Sequence, residues 1–214
     1  MVFRSYKRIM VETKIKLPKP VSFPSLSLEE AIRRRRSERD YTGQAISLSE
    51  LSYLLLYTVG ITEERYRLRA APSAGALYPI EIYPVVNRVT GLASGIYHYQ
   101  VEAHLLELIK EGDFRHELMR YALSQELMRD ASIVLALTVI LERAEWKYGE
   151  RAYRYALLEA GHIGQNIYLV ATSLGLGACA VGAYSDSDYN RLIGVDGERE
   201  SVVYLLAVGK LREK

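Results

Sequence analysis

The chain holds a single cysteine, Cys179, among 214 residues. One thiol excludes an intrachain disulfide and cannot build a thiolate metal cluster, so the sequence predicts a fold held by its core in a reducing compartment. Amide side chains are scarce, confined to Asn87, Asn166, Asn190, Gln44, Gln100, Gln125 and Gln165. With abundant Tyr, Arg and Glu, that scarcity leans towards a thermophilic composition. No apolar run reaches the ~18 residues that span a bilayer. The opening "MVFRSYKRIMVETK" carries charge every few residues and has no apolar signal core, so neither membrane insertion nor secretion is expected, and a cytoplasmic location is. Net charge is nearly absent, 28 Lys and Arg against 26 Asp and Glu, which argues against a broad cationic surface for nucleic acid. Also missing are an internal repeat, metal-ligand spacing around His98 and His104, and a Gly-x-Gly-x-x-Gly after the first strand, which argues against a Rossmann domain.

What is present begins with prolines. Pro18, Pro20 and Pro24 predict an extended arm over residues 1–25, followed by one domain over 26–214. "SLEE" from Ser27 has the spacing of a capping box and predicts a helix running into the arginines; a second box at Ser47 and Glu50 opens a helix with Leu51, Leu54, Leu55 and Thr58 on one face, stopped by Gly60. "APSAGALYP" reads as an ordered loop between prolines. "IEIYPVV" predicts a strand that Pro84 places at an edge or bulge; "GIYHY" and "LLELI" predict a hairpin; "SIVLALTVIL" predicts a buried central strand. "GDFRHELMRYALSQELM" predicts a helix. Over residues 151–177, Ala152, Ala156, Ala160, Ile163, Ile167, Val170 and Leu174 keep helical spacing, and Leu157, Leu158, Leu169 and Ala171 widen the stripe, so this helix is expected to be buried all round. Gly161 and Gly164 within it predict a close backbone neighbour, from this chain or a second subunit. "ACAVGAYS" and "SVVYLLAVGKL" predict strands either side of the helix "SDSDYNRLIGV".

The candidate functional residues fall in two stretches. "RRRRSERDY" admits three readings: a polyanion patch, a solvated face pairing with Glu29, Glu30 and Glu38, or a phosphate pocket in which Arg35, Arg36 and Arg39 share a helix face with Ser37. "PSAGALYP" offers Ser73 a hydroxyl role and lets backbone N–H groups at Ala74, Gly75 and Ala76 approach a flat or phosphate-bearing ligand, or forms a tight turn. His162 reads as a core histidine and Cys179 as an inert apolar packer. Trp146, Tyr148, Tyr153 and Tyr155 read either as core or as the wall of a cleft.

Taken in order, "RRRRSERDY", "APSAGALYPIEIY", "GIYHY", "RAYRYALLEAGHIGQNIYLVATSLGLG" and "VGAYSD" resemble the nitroreductase family, and within it the SagB-type dehydrogenase branch, from about Ser27 to Lys210. The resemblance implies an α+β fold with a mainly antiparallel sheet flanked by helices, an intertwined homodimer, and one FMN in each of two interface clefts. It assigns Arg35, Arg36, Ser37 and Arg39 to the FMN phosphate and ribityl chain. Pro72, Ser73, Ala74 and Gly75 fall in the loop reaching the isoalloxazine from the partner subunit, and Gly182 and Ala183 in the strand-end pair against the flavin. Lys210 and Arg212 stand where relatives place a basic pair, and "VGAY" replaces the Glu that many relatives carry before the strand-end pair. No catalytic side chain and no metal are implied, since FMN carries the chemistry. The expected activity is transfer of hydride from NAD(P)H through FMN to a small nitroaromatic or quinone acceptor. The alternatives are oxidation of azoline rings in peptides, and a non-catalytic FMN-binding subunit of a peptide-modifying complex.

Overall fold

The computed structural model describes residues 6, 7, 9–19, 23 and 26–212, so Pro20 and Pro24 of the expected arm lie outside the described residues. Strand β1 (Lys14–Lys16) of that arm pairs with Leu105, Leu106 and Glu107 at the sheet edge. Helix α1 (Leu28–Arg34) starts where the Ser27 hydroxyl accepts from the Glu30 N–H at 3.2 Å. It stops at Arg35, which turns to φ −48°, ψ 124°. The expectation of a helix through Arg39 is therefore corrected: Ser37 forms a parallel bridge with Ala178, and the Glu38 N–H donates to the Ala178 carbonyl at 2.9 Å. A sheet edge captures the donor that a continued helix would have satisfied. After β2 (Ile46–Ser47), the Ser47 box closes in both directions and opens α2 (Leu48–Val59), whose Leu51, Leu54, Leu55 and Thr58 are buried before Gly60 ends it.

The ribbon β3 (Ile61–Glu63) and β4 (Leu68–Arg69) leads to a short turn at Ala74–Ala76 and then β5 (Ile80–Val86). There follow β6 (Val89–Thr90), the hairpin β7 (Gly95–Gln100) and β8 (Leu105–Glu111), the short helices α3 (Arg115–Tyr121) and α4 (Leu127–Asp130), and β9 (Ile133–Val139). Leu123 and Ser124, at φ 55° and 63°, break the single helix expected there. Helices α5 (Glu142–Tyr148) and α6 (Arg151–Ser173), strand β10 (Leu176–Val181), helix α7 (Asp186–Ile193) and strand β11 (Ser201–Lys210) complete the order. Seven strands form one antiparallel sheet in the order β1-β8-β7-β5-β9-β11-β10. Strand β5 is interior, which corrects the edge reading of Pro84. Its ladder to β7 covers only Val85 and Val86, so upstream of Val85 that flank needs no donor and a proline is tolerated.

Both sheet faces are covered, and this explains why β9 has no polar face. Ile133, Leu135, Leu137 and Val139 point into one core with α2 and α6, whereas Val134 and Ala136 point into a second with α3, α4 and α7. The expectation that α6 is buried all round is corrected. Ala152, Ala156, Ala160, Ile163, Ile167 and Ala171 are buried, but Tyr153, Leu157 and Leu158 are 53%, 40% and 56% exposed. Gly164 makes room for the Tyr204 ring, and Gly161 faces open space, so the neighbour in this chain is a side chain and not a backbone.

Charged groups also cross the sheet. His98 lies 2.9 Å from Glu81 Oε2 and 2.8 Å from Glu107 Oε2, and Arg143 Nη1 pairs with Glu81 Oε1 at 2.5 Å. Glu200 accepts from Thr138 at 2.6 Å, from Tyr83 at 3.0 Å and from Lys7. Burial alone would raise the Glu81 carboxyl; the His98 hydrogen bond and the charges of Arg143, His98 and Arg69 outweigh it and hold the group at about 2. A depressed carboxylate adds stability above its unfolded value and loses it as pH falls through the folded one. Unfolding free energy is therefore expected to fall by on the order of 3 kcal/mol from this group between about pH 4.5 and 2. In urea titrations Glu81→Gln should be less stable at pH 7 and should converge on the unaltered protein over that window; parallel curves would exclude the assignment.

Candidate active site

The arginine run divides in two. Arg33 and Arg34 both pair with Glu30, which fits the solvated-face reading for those two residues. Arg35, Arg36 and Arg39 have no carboxylate partner among the described residues. Arg35 lies over the Tyr168 ring at 5.2 Å, Arg36 donates to the carbonyls of Arg33 and Arg35, and Arg39 donates to the Ser37 carbonyl at 3.2 Å. Tyr168 of α6 ties this segment to the sheet: its hydroxyl accepts from the Ala180 N–H at 2.7 Å and shares a hydrogen bond with Ser37 Oγ at 3.0 Å. The end of β11 runs beside the same segment, with the Thr42 N–H donating to the Lys210 carbonyl at 2.9 Å and Tyr41 bridging Leu211. Lys210 thus adjoins the cluster. Arg212 is already paired, 2.8 Å from Asp40.

Gly182 and Ala183 follow β10 and are exposed. A Cβ on Gly182 would meet nothing within 4 Å, which leaves backbone open to a flat ring. Gly182 lines a cleft of about 420 Å³ with Tyr153 and Leu157 of α6, Tyr184 and Val203. Pro72, Ser73 and Ala74 line a different cleft of about 280 Å³, with Tyr155, Leu158, Glu159 and His162. The two clefts take their helical walls from α6 residues on either side of its exposed ridge, so one protomer does not bring Pro72–Ala74 into the Gly182 cleft.

The loop is built by short-range contacts. Ser73 Oγ accepts from the Tyr78 N–H at 2.9 Å. Gly75 turns at φ 61°, and a Cβ there would sit 2.6 Å from Tyr148 Oη and 2.8 Å from Lys147 Nζ. The left-handed backbone is what favours glycine there, since the two side-chain tips could swing aside. Lys147 had no signal in the sequence reading; its place beside the loop comes from α5 folding back on α6. Tyr148 stacks edge-on against Tyr155 at 5.0 Å, while Trp146 is 67% exposed.

Glu159 is the other residue that pattern reading passed over. It occupies the apolar stripe of α6 between Ala156 and Ile163, is 3% exposed, and its Oε2 has no hydrogen-bond partner. Burial pushes its carboxyl up to about 7, against hydrogen bonding from Ser73, the Arg69 charge, the Ile80 amide and the Arg143 charge. An acid on an apolar stripe was the available signal. His162 is corrected from core to cleft, since it is exposed at the mouth beside Glu159. Cys179 is buried and its thiol is pushed up by burial, as suits a packing residue. His104 accepts no metal role: it hydrogen bonds Ser52 and Tyr99. Among the described residues no His, Cys, Asp and Glu group could hold a metal, and no helix is long and apolar enough to cross a membrane.

The residues present fit a flavin mononucleotide. Guanidinium groups without carboxylate partners suit a phosphate dianion, and the open strand end at Gly182 suits a planar ring. Comparison with known proteins agrees with the fold. The family model described as "Nitroreductase family" matches residues 32–210. A Methanocaldococcus jannaschii protein named as a nitroreductase is 39% identical over 92% of this chain and 96% of its own. The microcin B17-processing protein McbC of Escherichia coli is 29% identical over 71% of this chain and 57% of its own length. A crystal structure from Anabaena variabilis, also named as a nitroreductase, superposes with TM-score 0.82 at 36% identity; it covers 94% of this chain, which spans only 42% of that one.

Proposed function

The chain belongs to the nitroreductase family of oxidoreductases, and from that premise we propose that it is an FMN-dependent enzyme passing reducing equivalents from NAD(P)H to a small organic acceptor. One observation carries the reading: Arg35, Arg36 and Arg39 flank Ser37, and no carboxylate among the described residues neutralises them. They would hold the phosphate and ribityl chain, with Lys210 beside them. Bound FMN supplies the redox chemistry. The chain's own part is to bind the phosphate, to present the backbone of Gly182 and Ala183 to the ring, and to close the other side with Pro72–Gly75. Because those two half-sites take opposite sides of the α6 ridge, the closing loop comes from a second copy, and the exposed Tyr153, Leu157 and Leu158 are the surface the copies bury. Residues 26–214 form the functional domain in this reading, and residues 1–25 an arm.

The second reading, oxidation of an azoline in a peptide, rests on the similarity to a protein that processes microcin B17. Lys147 and Tyr148, held beside Gly75, supply proton-bearing groups to either reaction. The purified protein is expected to be yellow and to lose its flavin absorbance under anaerobic NADH or NADPH, regaining it when 1,4-benzoquinone is added. Bound flavin that neither nicotinamide bleaches would exclude the reductase. In that event a peptide carrying a thiazoline, oxidised to the thiazole with loss of the same absorbance, decides for the second reading, and no change in either assay leaves a flavin carrier.

A further inference from the structure

The loop proposed to close on the ring ends in a strained stretch of backbone. Gly75 and Ala76 turn at φ 61° and 54°, and Tyr78, buried and carrying a full side chain, turns at φ 51°. Residues other than glycine pay a free-energy cost in this region and stay there only when their surroundings hold them. The Tyr78 N–H donates to Ser73 Oγ at 2.9 Å and its Oη accepts from the Arg69 N–H at 3.0 Å, but both partners belong to the same stretch of chain, within nine residues. The Tyr78 carbonyl is different. It accepts from Arg143 Nη1 at 3.0 Å, a contact across 65 residues that ties the loop to α5.

Arg143 is held in turn, because its Nη1 also pairs with Glu81 Oε1 at 2.5 Å. Glu81 Oε2 meets His98 Nε2 at 2.9 Å, His98 Nδ1 meets Glu107 Oε2 at 2.8 Å, and Glu107 Oε1 lies 3.3 Å from Lys14 Nζ. These four residues stand on β5, β7, β8 and β1, successive strands of the sheet, and Glu81, His98 and Glu107 are buried. In such a line no member can rotate without stranding the next away from water. Buried ion pairs add little net stability over apolar packing. What this line supplies is orientation: it fixes Glu81, which aims the Arg143 guanidinium at the loop.

We propose, resting on the flavin reading above, that Arg143 is a positioning residue: clamped between Glu81 and the Tyr78 carbonyl, it holds residues 73–75 in the conformation that closes on the flavin ring. Arg143 itself touches neither ring nor phosphate in this assignment. Its loss therefore weakens the grip on the ring and leaves the grip on the phosphate, which belongs to Arg35, Arg36 and Arg39.

The test compares Arg143→Lys with the unaltered full chain. Lysine keeps a positive charge beside Glu81 but lacks the guanidinium's fixed fork of donors, so the carbonyl loses its clamp. In the apoprotein, hydrogen exchange at the Tyr78 amide is expected to become about tenfold faster relative to the amides of α2. Fluorescence titrations should show riboflavin and FMN each bound about tenfold more weakly, since the two ligands share the ring and differ in the phosphate. Glu81→Gln should reproduce the flavin losses, and the double variant should be no worse than either single one, because both act through one contact. If Arg143→Lys does not fold, the riboflavin affinity of Glu81→Gln decides. Exchange at Tyr78 that does not outpace α2, an unaltered riboflavin affinity, or additive losses in the double variant would each overturn the proposal while leaving the flavin reading intact. Unaltered protein that binds neither riboflavin nor FMN overturns both.

Discussion

Replacing Arg35 by Ala is expected to raise the dissociation constant for FMN by roughly 10- to 100-fold, so that the variant purifies colourless. Arg35 is half-buried over the Tyr168 ring and has no carboxylate partner among the described residues, so its charge is available to an anion. A charge-assisted hydrogen bond to phosphate contributes about 1.5 to 3 kcal/mol, and each 1.4 kcal/mol is tenfold. Lysine lacks the planar fork that matches phosphate oxygens two at a time, so Arg35→Lys should recover only part of the loss. Arg33→Ala is the matched control, because Arg33 spends its charge on Glu30. The check is flavin fluorescence titration of the apoprotein. Equal affinities for the unaltered protein and Arg35→Ala would show that the phosphate lies elsewhere, and an equal loss in Arg33→Ala would reduce the effect to net charge.

Leu158→Arg should separate the two copies and abolish flavin retention together. Leu158 is 56% exposed in the protomer, so the substitution costs the isolated fold little, but it would place an unpaired charge in the surface proposed to pack on a second copy. Burial of such a charge costs several kcal/mol, which corresponds to a loss of at least about 100-fold in association. Light scattering is expected to report one protomer, with circular dichroism unchanged and no bound FMN. A dimer that keeps its FMN would remove α6 from the interface. A lone protomer that keeps its FMN would show that each site is complete within one chain.

How much of this was readable beforehand depended on how far along the chain the cause lay. The Ser47 box, the hairpin through Gln100–Leu105 and the two-sided strand Ile133–Val139 were each visible within a few residues, since caps, alternation and apolar runs act over one turn or one strand. The broken helix at Leu123 and Ser124 was also local, but no glycine marked its left-handed turn. Pro84 misled because the rule that puts proline at an edge counts partners on both sides, and here the inner neighbour stops pairing at Val85. Ser27 misled in the opposite sense: the cap is real, but Glu30 turns to Arg33 and Arg34 instead of closing the box.

The sequence by itself determined the ordered set of motifs that identifies the family, the α+β class, and the residue types able to grip a phosphate, because all of these reside in identity and spacing. Only the tertiary structure decided which arginines are free. That outcome depends on Glu30 reaching forward to Arg33 and Arg34 and on Ala178 of β10, about 140 residues later, drawing Ser37 and Glu38 out of the helix. It also decided that α6 leaves a ridge uncovered, and that Glu159 lies beneath the Pro72–Ala74 loop with an oxygen to spare. Charge and burial are properties of the neighbours that arrive, and a linear pattern records the residue but not its company.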